Sequence, residues 1–112
     1  MKPSPYYKGS LSAIILHLLS IEERMYGYEI TQRVKDMTVG EIIISEGALY
    51  PALHKLEDDG FLIAELEYVG TRVRKYYTLS EKGITAGKSK LEELEGFIKN
   101  IQLILSPPKL DL

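Results

Sequence analysis

Residues 69–75 read Val-Gly-Thr-Arg-Val-Arg-Lys and hold three positive charges with no negative one among them. Such a cluster suits anionic oxygens, phosphate above all, because Arg and Lys donate charge-assisted hydrogen bonds. Thr71, Arg72 and Arg74 are its candidates for that contact. A second group is Gly47, Ala48, Tyr50, Pro51, His54 and Lys55. Its two small residues allow close backbone approach to a phosphate, and Tyr50, His54 and Lys55 can reach phosphates or base edges.

Other chemistries find less support. Cysteine is absent, and His17 and His54 are the only imidazoles, which argues against a zinc site. Glu57, Asp58 and Asp59 are consecutive, so their carboxylates do not converge on one point. No acid/base pair, activated nucleophile or phosphate-binding loop is visible. We therefore expect no enzyme, no catalytic residue, no metal and no cofactor. The formal net charge of −2 counts against a nucleic-acid partner. That charge is segregated, however, with Glu92, Glu93 and Glu95 far along the chain from the cationic run.

The elements that position these groups can be read from periodicity. Leu11, Ile14, Ile15, Leu18 and Leu19 form the stripe of a buried helix that Ser10 could cap and that ends near residues 22–24. Tyr26, Ile30, Val34 and Met37 predict a second helix ended by Gly40. The run Ile42-Ile43-Ile44 predicts a short strand. Ser45 then caps a third helix reaching Asp59, with Leu49, Leu53 and Leu56 inside and the second candidate group outside. Pro51 within it predicts a bent first turn. Leu62, Ala64, Leu66 and Tyr68 alternate with Ile63, Glu65 and Glu67, and residues 73–79 are β-rich, so a hairpin turns at Gly70-Thr71. Alternation sends Arg72 and Arg74 to one face and Lys75 to the other. Arg72, nearest the tip, is the leading phosphate contact, and Lys75 reads as structural.

Ser80 opens a last helix over 81–105. Ile84, Leu91, Ile98 and Leu105 fall seven apart, as do Gly87, Leu94 and Ile101. This is the spacing of a coiled-coil seam. At 1.5 Å per residue the helix is roughly 37 Å long, more than the preceding domain can cover. We expect a homodimer whose interface uses Leu11, Ile15, Ile84, Leu91, Leu94, Ile98, Ile101 and Leu105, with packing of the seam on its own first helix as an alternative. His17 reads as surface or interface. Tyr26 and Tyr28 read as packing residues around a turn glycine, Gly27. Residues 1–5 read as an extended arm, and Tyr7 and Lys8 either touch the ligand of the third helix or belong to a disordered tail.

The expected fold is mainly α with a small β-hairpin: a winged helix-turn-helix over residues 1–80 and a long dimerisation helix with its tail over 81–112. The runs Tyr26–Ile30 (YGYEI), Gly47–Glu57 (GALYPALHKLE) and Arg74–Gly83 (RKYYTLSEKG), in this order and preceded by Lys8-Gly9, resemble the PadR family of winged-helix transcriptional regulators. The resemblance implies a homodimeric repressor-type regulator of double-stranded DNA at a palindromic operator. Its third helix would enter the major groove, with the wing against phosphates. It also implies release by a small aromatic or drug-like effector. Two departures stand out: the wing turn is compact, and no tryptophan is present for stacking a flat ligand. The alternative is a winged-helix protein-interaction module without DNA binding. The longest apolar run, Leu11–Leu19, is about half of what a membrane span needs, and the first residues lack the apolar core of a secretion signal, so a cytoplasmic location is expected.

Overall fold

A computed structural model describes residues 5–109 of the chain. A 3-10 helix, Pro5–Ser10, leads into α1, Leu11–Ile21; then come β1, Met25–Tyr26, α2, Gly27–Met37, and α3, Glu46–Asp58. A hairpin follows, β2, Leu62–Val69, and β3, Arg72–Leu79, before α4, Glu81–Leu105. The helix-turn-helix, the wing and the long last helix are as the sequence predicts.

α1 is the centre of the domain because apolar residues occupy more than one of its sides. It buries Leu11, Ala13, Ile15, Leu16, Leu18 and Leu19. Ile30 and Val34 of α2, Leu49, Leu53 and Leu56 of α3, and Leu62 and Tyr77 of the sheet complete one continuous core. Leu11 and Ile15 are only 4% and 0% exposed. They were expected at a dimer interface, and the correction is simple: the protomer's own core uses their whole side chains.

The sheet is antiparallel, in the order β1-β3-β2. The third strand is Met25–Tyr26, paired with Tyr77 and Tyr76, and not the expected Ile42–Ile44. That β-branched run is unpaired coil. Its composition serves burial instead, with Ile44 in the core and Ile42 packed against it. The wing turn is two residues long, since Val69 pairs with Arg72. Gly70 has φ +63 and Thr71 is not left-handed, which matches a type II′ turn, a tight hairpin that needs glycine first.

Several local expectations need correction. Ser10 and Ser45 occupy N-cap positions but make no side-chain cap, and the Ser10 hydroxyl donates to the Tyr7 carbonyl instead. Ser80 does cap α4, accepting the Gly83 N–H at 3.0 Å. α3 runs unbroken through Pro51. Proline lacks the N–H that would reach the Gly47 carbonyl, so the helix gives up one backbone bond there. α2 ends at Met37 as the sequence predicts, and the turn after it holds Val39 at φ +52 as well as Gly40 at φ +80. Of the expected arm, residues 1–5, only Pro5 is described, and a 3-10 helix begins there. Residues 1–4 and the Lys8 side chain lie outside the described residues.

The first turns of α4 are pressed onto the domain. A Cβ on Gly83 would lie 2.0 Å from the Phe61 carbonyl oxygen, and one on Gly87 would lie 3.3 Å from Leu16 Cβ. Gly87 of the seam therefore packs on the chain's own α1. Leu91 and Leu94 stay half-covered, and further along the helix Phe97, Ile98, Leu103, Ile104 and Leu105 are all exposed.

Candidate nucleic-acid interface

α3 is anchored from one side and open on the other. Leu49, Leu53 and Leu56 are buried, which turns Gly47, Tyr50, Pro51, His54 and Lys55 outward, all exposed. Ala48 is half-buried between the two faces. Lys55 lies 3.5 Å from Asp59 one turn on, an exposed pair that leaves its ammonium free to exchange partners. Tyr50, though exposed, leans on the start of α2. Its ring edge and hydroxyl oxygen sit 3.1 Å from where a Cβ on Gly27 would be. Gly27 is thus favoured by the close approach of α3 and not by a turn, because its φ is not left-handed. Tyr28, expected to pack, is exposed.

The N-terminus of α3 carries a residue that sequence reasoning placed elsewhere. Tyr7, expected in a DNA-touching arm or a disordered tail, is only 3% exposed. Its hydroxyl accepts the Ser45 backbone N–H at 3.0 Å and lies 3.5 Å from Ser45 Oγ. The hydroxyl therefore fixes the start of α3 from the segment before α1. The N–H groups of Glu46 and Gly47 in the first turn have no protein partner among the described residues. They sit at the positive end of the helix dipole, with open space beside Gly47.

On the wing the cations divide. Thr71 and Arg72 at the tip are exposed, and among the described residues Arg72 makes no ion pair. Lys75 points to the α3 side, where Glu57 Oε1 is 3.0 Å away and the Tyr77 ring centroid 5.4 Å away. Glu57 raises the Lys75 pKa, and burial raises that of Tyr77. Lys75 is structural, as its neighbours in sequence suggested. Arg74 shares the outer face with Arg72 but is half-buried, its guanidinium 4.5 Å from the Tyr26 ring centroid.

Of the seam residues, Ile84, Ile98 and Leu105 are exposed, and Leu91, Leu94 and Ile101 half-buried. Leu91, with His17, Ile14, Leu18, Val34 and Met37, lines an apolar groove of about 190 Å³ between α4, α1 and α2. His17 lies at its edge, half-buried. No helix among the described residues is long and apolar enough to cross a membrane.

Comparison with known proteins agrees with this architecture. Residues 15–93 match the transcriptional regulator PadR-like family. The chain is 34% identical over 88 residues to transcriptional regulator Rv3488 of Mycobacterium tuberculosis, covering 74% of this chain and 79% of that one. A transcriptional regulator from Clostridium thermocellum superposes with a TM-score of 0.79 at 36% identity, covering 88% of this chain and 96% of that one. Bacillus subtilis PadR in complex with operator DNA superposes with a TM-score of 0.65 at 32% identity, covering 72% of this chain and 46% of that one. With its helix-turn-helix, two-residue wing turn and long final helix, this chain belongs to the PadR-like family of transcriptional regulators.

Proposed function

We propose that the chain is a dimeric, sequence-specific DNA-binding repressor whose α3 enters the major groove and whose Arg72 holds a phosphate beside it. The observation that carries this reading is the outward face of α3. Gly47, Tyr50, Pro51, His54 and Lys55 are all exposed on a helix anchored by three buried leucines. A relative similar over most of this chain was solved on operator DNA, which supports the same partner here. Dimerisation through residues 81–112 is supported by the exposed apolar residues of α4, because a lone helix does not keep such a stripe in water without cost. The seam is then Ile84, Leu91, Leu94, Ile98, Ile101 and Leu105.

Two α3 helices in one dimer would read half-sites roughly 34–36 Å apart, hence a palindrome. A small aromatic or drug-like effector would release the DNA, and the apolar groove between α4, α1 and α2 offers it a berth that touches both the dimer helix and the helix-turn-helix.

The test is a gel-shift titration of the duplex upstream of the chain's own gene, against random duplex, at several salt concentrations. Preferential binding is expected, and log K should fall linearly with log salt. Arg72→Ala should weaken binding and reduce the slope by about 0.9, the share of one phosphate. Lys55→Ala should weaken it as well. A folded dimer with no preference at low salt would overturn the reading.

A further inference from the structure

The joint between the wing and the helix-turn-helix is short. β1 contributes two residues, Met25 and Tyr26, and leads straight into α2. A two-residue ladder alone is a weak hinge. On the outer face of the sheet, however, side chains from both sides interleave. Arg24 lies 3.9 Å from the Tyr76 ring centroid, and its guanidinium also binds Glu67. Tyr76 meets Tyr26 edge-on, with centroids 5.4 Å apart and an interplanar angle of 76°. Arg74 then covers Tyr26 at 4.5 Å. The order is cation, ring, ring, cation, with one cation and one ring from each side of the joint. Register explains it, since Tyr26 pairs with Tyr76 and Glu67 with Arg74 on one face.

We propose that Arg24 and Arg74, through Tyr76 and Tyr26, are positioning residues that set the angle of the wing to α3, and that Arg74 is not a phosphate contact. The inference rests on the DNA-binding reading above. Two features of the site carry it. The stack holds both guanidiniums over rings, where they gain from the ring quadrupole. Carboxylates also surround it: Glu67 on Arg24, Glu65 paired across from Tyr76, and Glu29 accepting the Tyr26 N–H at 3.1 Å. A guanidinium among carboxylates attracts phosphate poorly. Lys75 is likewise matched by Glu57. Of the three cations in the run 69–75, only Arg72 is then left for DNA.

The experiment measures salt-dependent binding of the full chain to the upstream duplex, together with hydrogen exchange of the free protein, for Arg72→Ala, Arg74→Ala and Arg24→Ala. All three are surface replacements outside the core. Arg74→Ala and Arg24→Ala should each weaken binding about three- to tenfold with an unchanged salt slope, and wing amides of residues 66–74 should exchange faster. Arg72→Ala should lower the slope by about 0.9 and leave wing exchange alone. A slope lowered by a similar amount in Arg74→Ala would overturn the proposal, as would unchanged affinity or unchanged wing exchange in that variant. If the unmodified chain ignores DNA altogether, the functional reading fails first, and the exchange data still report on the joint.

Discussion

Replacing Gly83 with alanine puts a methyl group at a point 2.0 Å from the Phe61 carbonyl oxygen, 1.4 Å short of the 3.4 Å at which ordinary contact begins. The obstacle is backbone, so no rotamer change relieves it. Either the start of α4 or the residue before β2 must move. That movement strains the Ser80 N–H bond to the Phe61 carbonyl, 3.1 Å, and the Gly83 N–H bond to Ser80 Oγ, 3.0 Å. Overpacking costs about 1–3 kcal/mol and a strained hydrogen bond about 1 kcal/mol, against roughly 1 kcal/mol gained in helix propensity. The expected net loss is about 2 kcal/mol. Urea unfolding at one fixed protein concentration reads it as a midpoint lowered by about 1 M, with the slope unchanged. Gly96→Ala is the control on the same helix. Nothing lies within 4 Å of its added Cβ, and it sits away from the seam, so stability should rise by about 1 kcal/mol. If Gly83→Ala unfolds at the unmodified midpoint, or both alanines act with the same sign, the packing of α4 on residue 61 is not as described.

Other consequences are as direct. Tyr7→Phe keeps the ring but leaves the Ser45 N–H without an acceptor, so the chain should lose about 1–2 kcal/mol by thermal or urea unfolding and bind its duplex more weakly. Val39 is 90% exposed at φ +52, a conformation that β-branched residues tolerate poorly. Val39→Asn should therefore raise the unfolding free energy by about 1 kcal/mol with DNA affinity unchanged. Because burial raises the Tyr77 pKa and Glu57 raises that of Lys75, both contribute stability that is intact below pH about 10 and is lost as pH climbs through their folded values. In an alkaline absorbance titration Tyr77 should ionise late, and Tyr77→Phe should remove that late step.

Much of this architecture is legible in the sequence because its signals are local. The α1 stripe, the leucines of α3 and the alternation of the hairpin each fix a face within a few residues. What escaped was non-local. β1 is two residues long, and its partner lies about fifty positions on, so no window contains the pair. Ile42–Ile44 misled because burial and strand pairing favour the same β-branched types. The outward face of α3 could be read from its leucines, whereas Tyr7 bonds a residue 38 positions away and left only an aromatic in a proline-rich lead. Strand alternation separates Lys75 from Arg72 and Arg74 in the cationic run, but it does not name their partners. Charge counting cannot see that Glu57 and Tyr26 take two of the run's three members. Gly87 shows a further ambiguity, since one seven-residue period serves both the chain's own α1 and the expected partner.

The bond from Tyr7 to the start of α3 gives the opening residues of the chain a role in calibration. An affinity tag fused there, or translation begun from a later start, would act on α3 from behind without altering its outward face. Such a protein would still fold around α1, yet the start of α3 would be slackened. Tags belong on the other end.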